Sequence, residues 1–273
     1  MDEILLYRRV NERWGTRNHV LVLPLVASAS GIARTLARDK KATWVEHDYE
    51  PTSDESLQNR ERVARTLIGF ATNPNVAAVL LVADVAERES ILHSVRGAGQ
   101  RADLVVVADA GGLRAAMQEG GARLTPLLVH AAEFRRERAP VSALMLGTEC
   151  GGSDALSGIT ANPALGVASD HLVDAGGTVM LAETTELIGA EHLLARRAAS
   201  AEVAEDIYRI IHRYEAVVRA HGEDIRGANP APGNIEGGLT TIEEKSLGAA
   251  RRGGRGRSVR SSNTRCLPRR AVS

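Results

Sequence analysis

The sequence predicts an α/β protein: mainly parallel sheets with helices on both faces, two Rossmann-like units, and a disordered basic C-terminal tail. Three observations predict it. Near-continuous apolar runs of strand length recur at residues 20–26, 76–83 and 104–108, as buried parallel strands require. Segments of helical periodicity separate these runs, and the β-α-β order favours right-handed crossovers on a parallel sheet. A second alternating series begins near residue 141.

The elements follow in order. After the first strand, Ser28 or Ser30 caps a helix to about residue 38. Residues 43–46 make a short strand. A helix covers 57–71, with Leu57, Val63, Leu67 and Phe70 near one stripe, and Asn73-Pro74-Asn75 stops it. Strand 76–83, helix 87–96, strand 104–108 and helix 113–119 come next. The charged stretch 134–140 reads as a boundary, giving an N-terminal unit over 1–138 and a second unit over 139–250. The second unit opens with a strand at 141–147. A helix then follows Pro163, whose ring suits a first helical turn, and ends at Gly176-Gly177. A strand at 178–182, a helix at 188–197 and a long helix at 201–220 precede a Pro/Gly/Asn-rich loop at 226–240.

Composition narrows the function classes. With 44% apolar and 25% charged residues the chain is of the soluble globular type. No apolar run approaches the ~20 residues of a membrane span, and the acidic start, Met1-Asp2-Glu3, lacks a signal-peptide pattern. Two cysteines make no disulfide scaffold, so a cytoplasmic location is the default. Aromatics are only 3%, which argues against base-stacking nucleic-acid modules. The formal net charge of zero hides an asymmetry. Residues 251–273 hold eight arginines and no acid, leaving 26 basic against 34 acidic groups in the first 250 residues, a net of −8.

The chemistry-bearing residues cluster after two strands. Cys150, Gly151, Gly152, Ser153 and Asp154 follow the strand that opens the second unit. The glycines let backbone N–H groups approach an anion, and Cys150 with Asp154 offers soft and hard metal ligands side by side. Strand exits are where open α/β sheets place ligands. The structural alternative is a Gly-rich turn with Cys150 a small buried hydrophobe and Asp154 or Ser157 a cap. Glu183, Glu186, Glu191 and His192 follow the strand at 178–182. They suit metal binding or acid–base work, or simply the dipole of a helix N-terminus, worth ~0.3–1 kcal/mol. Lys245, after Glu243-Glu244, either neutralises a substrate carboxylate or pairs on a solvated face. Asn234 lines a pocket or satisfies a turn. Arg17 and Asn18 precede the first strand, at the sheet edge opposite the strand exits, and His47 with Asp48 ends the second strand.

The motifs resemble the altronate dehydratase and D-galactarate dehydratase family. Cys-Gly-Gly-Ser-Asp at 150–154 is followed by Ser157-Gly158-Ile159-Thr160-Ala161-Asn162-Pro163-Ala164-Leu165-Gly166. Glu183-Thr184-Thr185-Glu186, Gly189-Ala190-Glu191-His192, Asn229-Pro230-Ala231-Pro232-Gly233-Asn234, Gly237-Gly238-Leu239-Thr240-Thr241 and Glu244-Lys245-Ser246-Leu247-Gly248 fall in the family's order. Upstream, Gly15-Thr16-Arg17-Asn18 and Asn73-Pro74-Asn75-Val76 are similar to family segments. The resemblance is dense from 144 to 248 and sparse before that.

It implies a lyase that eliminates water from a sugar-acid, helped by a divalent metal of the iron type, Fe2+ or else Mn2+. Asp154, Glu183, Glu186, His192 and Lys245 would be catalytic. Arg17, Asn18, Gly151, Gly152, Ser153, Asn162 and Asn234 would bind substrate, and Cys150, Asp154 and His47 would hold the metal. A base must take the proton α to the carboxylate, and an acid or Lewis acid must help the hydroxyl leave. The partner implied is a small-molecule acid, with room for a small N-terminal-domain subunit and for a homo-oligomer, and with neither nucleic acid nor membrane. The chain departs from the family pattern where cysteines are expected. It has Ala27-Ser28 in place of Asn-Cys, no Gly-Cys-Gly near His47, and Ala86-Glu87 in place of Gly-Cys-Glu. Two alternatives stay open: a sulfolactate sulfo-lyase, which expels sulfite, and a catalytically silent paralogue acting as a binding subunit.

The tail invites its own explanation. The family continues into a strand-like Val-Leu-Glu-Tyr-Ala. Arg260 to Arg265 can be encoded by CGG TCC TCG AAT ACG CGN, which in a shifted frame reads out that peptide, and the coding DNA tests this. A frame slip shortly after Gly254 is therefore expected, with residues 251–273 disordered and Cys266 outside the family's own sequence.

Overall fold

The computed structural model describes residues 3–85 and 89–256. The chain splits into two compact units, residues 3–140 and the residues from Val141 onward.

The first unit begins with β1 (Glu3–Arg8) and β2 (Trp14–Gly15), then β3 (His19–Pro24). A 3-10 turn at Ala27–Ala29 leads into α1 (Ser30–Lys40), so neither candidate serine caps the helix; its N-cap is Ala29, without a side-chain bond. After β4 (Thr43–Trp44), α2 (Leu57–Ala71) starts at Ser56, whose hydroxyl accepts from the Asn59 N–H. Next come β5 (Val76–Ala83), α3 (Glu89–Gly97), β6 (Arg101–Val106), α4 (Leu113–Glu133) and β7 (Arg136–Pro140). The expected start of the third helix at 87, and Ala86-Glu87, lie outside the described residues.

Strands β4, β3, β5 and β6 form a parallel sheet in that order, with Leu80 opposite Val22 and Asp103. Both faces are covered. Val22, Leu80, Val82 and Val105 pack with Ile32 and Leu36 of α1 and with Leu124 of α4. Leu23, Val79, Leu81 and Val106 pack with Leu67 of α2 and with Ile91 and Val95 of α3. All eight residues of β5 are buried, so that strand has no polar face and its sequence shows no alternation. Each fully buried aliphatic side chain contributes roughly 1.5–3 kcal/mol.

Two expectations for this unit are corrected. Helix α4 runs to Glu133 instead of stopping near 119, passing through Gly120-Gly121 and Pro126. Its apolar face, Ala116, Leu124, Leu127 and Ala131, is buried, and that burial outweighs the poor helix propensity of glycine. Gly120 packs closely on α1, where an added Cβ would lie 2.6 Å from Leu36 Cδ1 and displace that side chain. The stretch 134–140 is not a bare boundary. Within it β7 pairs antiparallel with β1, Ile4 against Ala139, in a sheet ordered β2-β1-β7. Its charge belongs to an edge strand: Arg138 pairs with Glu3 at 3.0 Å and the Arg136 guanidinium sits 4.8 Å from the Tyr7 ring.

The second unit contains β8 (Met145–Thr148), α5 (Ala161–Asp174), β9 (Thr178–Leu181), α6 (Glu191–Ala195), α7 (Ala201–Ala220), α8 (Ile225–Ala228), α9 (Pro232–Glu236) and α10 (Ile242–Ala249). Strands β8 and β9 are parallel, Leu146 against Val179. Among the described residues they make a two-stranded sheet, and the segments that follow β9 are short or amphipathic helices, so these residues do not form the expected second Rossmann-like unit. The core here is helical, built on Leu187, Ile188, Leu194, Ile211, Ile242 and Ala249. Residues 141–143 are a 3-10 turn where strand was expected, and the expected loop at 226–240 contains α9 and all but the first residue of α8.

The disordered tail is corrected at its start. Ala250–Gly253 forms a 3-10 helix, the Ser169 hydroxyl donates to the Arg252 carbonyl at 2.8 Å, and the Asp170 carboxylate accepts the N–H groups of Arg255 and Gly256. Gly166 of α5 permits this docking, since a Cβ there would meet the Arg251 carbonyl at 2.3 Å. Residues 257–273 lie outside the described residues. Among the described residues, no helix is long and apolar enough to cross a membrane.

Gly15 supplies a direct stability test. A Cβ at this position would lie 2.0 Å from the Pro74 carbonyl oxygen, a backbone atom that cannot swing away. Gly15→Ala is expected to cost about 1–3 kcal/mol, read as a lower urea midpoint at unchanged slope. An unmoved midpoint would contradict the close approach.

Candidate functional site

The parallel pairing of β8 and β9 brings their C-terminal ends side by side, and the site grows from those two ends. The loop after β8 carries Cys150, and its N–H donates to Glu183 Oε2 at 2.6 Å across from the loop after β9. Glu183 holds a left-handed backbone conformation, φ 63°, a strain of order 1–3 kcal/mol for a non-glycine residue. Gly152, with φ 147°, is the position in the Cys-Gly-Gly turn that needs glycine; Gly151 has φ outside that region and open space around its Cα.

Behind these ends lies a buried ionic cluster. Lys245 Nζ donates to Glu186 Oε1 at 2.8 Å and to the Asn229 and Asn234 side-chain oxygens at 2.9 Å each. Asn234 Nδ2 in turn donates to the Ser153 carbonyl at 3.0 Å. A chain of bonds thus runs from Glu186 through Lys245 and Asn234 to the Cys150 loop. Arg252, 2% exposed, pairs with Glu183 at 2.9 Å and lies 3.6 Å from Glu186 Oε2. Both carboxylates therefore face cations inside the protein, where unpaired charge is costly.

Asp154 sits at the open side. Its Oδ1 accepts from the N–H groups of Leu156 and Ser157 and from the Ser157 hydroxyl, at 2.8–2.9 Å. The Ser157 hydroxyl is the main cause that holds its carboxyl below the usual aspartate range, so it is ionised at neutral pH. Cys150 Sγ lies 3.1 Å from the Ser153 hydroxyl. A cleft of about 260 Å³ is lined by Ser153, Asp154, Ser157, Asn162, Lys245 and Arg251, among others.

The sequence-predicted residues thus divide. Cys150, Gly151, Gly152, Ser153, Asp154, Asn162, Glu183, Glu186, Asn234 and Lys245 all belong to the second unit's strand ends, cluster and cleft. His192 does not join them: it is exposed on α6 and shares no hydrogen bond or ion pair with Cys150, Asp154, Glu183 or Glu186 among the described residues. Its neighbour Glu191 instead approaches His212 at 3.6 Å. Lys245 is neither a solvated surface partner nor a free substrate ligand, because its three donors are engaged inside the protein.

Three predicted residues belong to the first unit. His47 has both ring nitrogens engaged, one 2.9 Å from the Pro24 carbonyl, the other accepting the Tyr49 N–H at 3.3 Å. The tautomer satisfying both leaves no lone pair for a metal. Asn18 is spent on Arg9 and on the Ala131 carbonyl. Arg17 is exposed, and its carbonyl accepts from Arg9.

Arg252 escaped the sequence reading because it stands at the head of the arginine-rich stretch. Glu183 and Glu186 are already matched by Arg252 and Lys245. Among the described residues, no three His, Cys, Asp or Glu side chains gather as a metal-holding group.

Residues 141–262 match the D-galactarate/altronate dehydratase C-terminal domain, and residues 6–132 match the D-galactarate dehydratase/altronate hydrolase second domain. The chain is 38% identical over 248 residues to the beta subunit of (2R)-sulfolactate sulfo-lyase from Chromohalobacter salexigens, covering 89% of this chain and 62% of that protein. It is 33% identical over 261 residues to altronate dehydratase from Bacillus subtilis, covering 91% and 52% respectively. Over 121 residues it is 47% identical to the L-threo-forming galactarate dehydratase of Escherichia coli, 44% of this chain and 23% of that protein. The chain spans about half to three-fifths of the length of the first two relatives.

The ionic cluster and the Asp154 turn each yield a measurable outcome. Lys245→Met strands Glu186 in the interior and is expected to cost about 3–5 kcal/mol. Adding Glu186→Leu should recover part of that loss in a double-mutant cycle followed by chemical denaturation. Additive losses would mean the pair is not coupled. Asp154 has a folded-state pKa below its unfolded one, so its contribution to stability is present above the ordinary aspartate pKa and fades as pH falls through the lowered value. Ser157→Ala removes the main cause. Carboxyl-carbon NMR should then show Asp154 titrating at higher pH than in the unsubstituted protein, and an unmoved titration would show that the hydroxyl is not what holds it down.

Proposed function

Because the chain belongs to the D-galactarate/altronate dehydratase family, we propose that it supplies the site of a lyase that eliminates water from a small hydroxylated carboxylic acid. The observation that carries this reading is the bond chain Glu186–Lys245–Asn234–Ser153, which holds the Cys-Gly-Gly-Ser-Asp turn in place beside the cleft.

Elimination needs a group to take the proton α to the carboxylate, help for the departing hydroxyl, and stabilisation of the charge that builds up between them. Asp154 stays ionised and offers the cleft an acceptor for a substrate hydroxyl or proton. Ser153, Ser157 and Asn162 provide the short polar contacts that a polyhydroxy acid requires. Lys245 acts as a fixed positive charge behind the cleft, because its donors are committed to Glu186, Asn229 and Asn234. Glu183 fixes the Cys150 N–H, and Arg252 fixes Glu183. Positioning of this kind reduces reorganisation as charge develops.

The relative named as a beta subunit supports a further part of the proposal, that the chain works beside a second polypeptide. A ferrous or manganous ion would be a further requirement of this reaction, and the chelator arm of the test below measures it.

The test is turnover of galactarate, altronate and (2R)-sulfolactate by the chain together with any co-purifying partner, with and without each ion and a chelator. Turnover of a sugar acid is expected. Asp154→Asn and Cys150→Ser should each lower kcat/KM by about a hundredfold or more. Full activity in both variants would exclude this site. Sulfite release without water elimination would move the chain to the sulfo-lyase branch, and no turnover of any acid would make it a binding subunit.

A further inference from the structure

We propose that the first unit carries a binding site for a small anion of the carboxylate or phosphate kind, built around Arg9, Arg96, Arg101 and His130. The inference is independent of the lyase reading. A cavity of about 490 Å³ opens among these residues, with Phe134 and Asp103 also in its wall. That size suits a small metabolite.

Arg9 is the reason for an anion. It is 6% exposed, yet it has no carboxylate partner among the described residues. Its guanidinium donates to the Pro74 carbonyl at 2.7 Å, to Asn18 Oδ1 at 2.8 Å and to the Arg17 carbonyl at 2.8 Å, all neutral acceptors. Its planar face lies 4.8 Å from the Phe134 ring centroid and 5.6 Å from that of Tyr7. A guanidinium has five N–H donors, so two remain uncommitted. Burial also pulls its pKa below that of an ordinary arginine. A buried cation is normally matched by a buried anion, and here the match is missing beside a cavity.

The rest of the wall does not supply it. Asp103 is the one carboxylate in the lining, and it is already drawn to Arg123 at 2.8 Å and Arg96 at 3.7 Å. Three guanidiniums, those of Arg9, Arg96 and Arg101, therefore share the wall with one occupied carboxylate. Arg96 and Arg101 are exposed, so an incoming anion can reach them. His130 meets Phe134 edge-on with ring centroids 5.2 Å apart, giving the cavity an apolar, aromatic side. The ligand that fits pairs a charged head with a compact, partly apolar body, and its head brings the missing negative charge to Arg9.

Titration calorimetry of the whole chain with inorganic phosphate and, separately, with citrate tests the proposal and tells the two anion sources apart. Saturable binding of at least one is expected, weakening as sodium chloride is added. Arg101→Glu, at an exposed position, should weaken it about tenfold or more. His130→Ala should weaken it less, and both variants should keep the circular dichroism of the parent. Absence of saturable binding for both anions at millimolar concentration, or unchanged affinity in Arg101→Glu, would overturn the site. If Arg101→Glu does not fold, unchanged affinity in His130→Ala together with insensitivity to salt overturns it.

Discussion

Two carboxylates and two cations, Glu183, Glu186, Lys245 and Arg252, meet in the interior of the second unit, and its two strand ends depend on that meeting. Such a group is not a source of net stability, because desolvation consumes most of the Coulomb gain. Its value lies in geometry. The charges hold only if the partners are in register, so the loop after β9, the helix α10 and the 3-10 turn at Ala250–Gly253 must dock together. Asn234 then extends that register to Ser153, and Glu183 extends it to the Cys150 N–H.

The second unit has little sheet with which to do this otherwise. Two short strands, neither wholly buried, cannot impose a rigid frame. Helices supply the core, and close backbone contacts tighten it: Gly158 faces Gly248 so closely that a Cβ on Gly248 would lie 3.0 Å from the other Cα. In the first unit the situation is reversed. A four-stranded parallel sheet with both faces buried provides the frame, and its polar residues act at the margins. Arg9 is one of these, tying the turn before β3 to the Pro74 carbonyl, and no carboxylate among the described residues pairs with it.

The parallel sheet of the first unit was legible because its strands are continuous apolar runs separated by segments of helical periodicity. The end of α2 follows from Asn73-Pro74-Asn75 and the span of β5 from eight consecutive apolar residues. What stayed hidden depended on distant partners. Arg136–Pro140 reads as charged and irregular, and only pairing with β1 makes it a strand. Helix α4 continues past two glycines because its apolar face is buried on the rest of the unit. In the site, the Cys-Gly-Gly-Ser-Asp turn and its polar companions stand out as a motif, whereas the roles of His47 and His192 do not follow from composition. One is closed off by backbone groups, and the other stays exposed.

By itself, the sequence determined the α/β alternation, the family-like motifs after the two strands, and the chemical types available to a site, since these rest on periodicity and on side chains a few residues apart. Only the tertiary structure decided which charges face one another. Arg252 looks like the first residues of a basic tail, yet it is buried against Glu183 because α5 leaves a groove for its backbone at Gly166. Ion pairing in the interior depends on separation and desolvation. Both are properties of the folded arrangement, not of spacing along the chain.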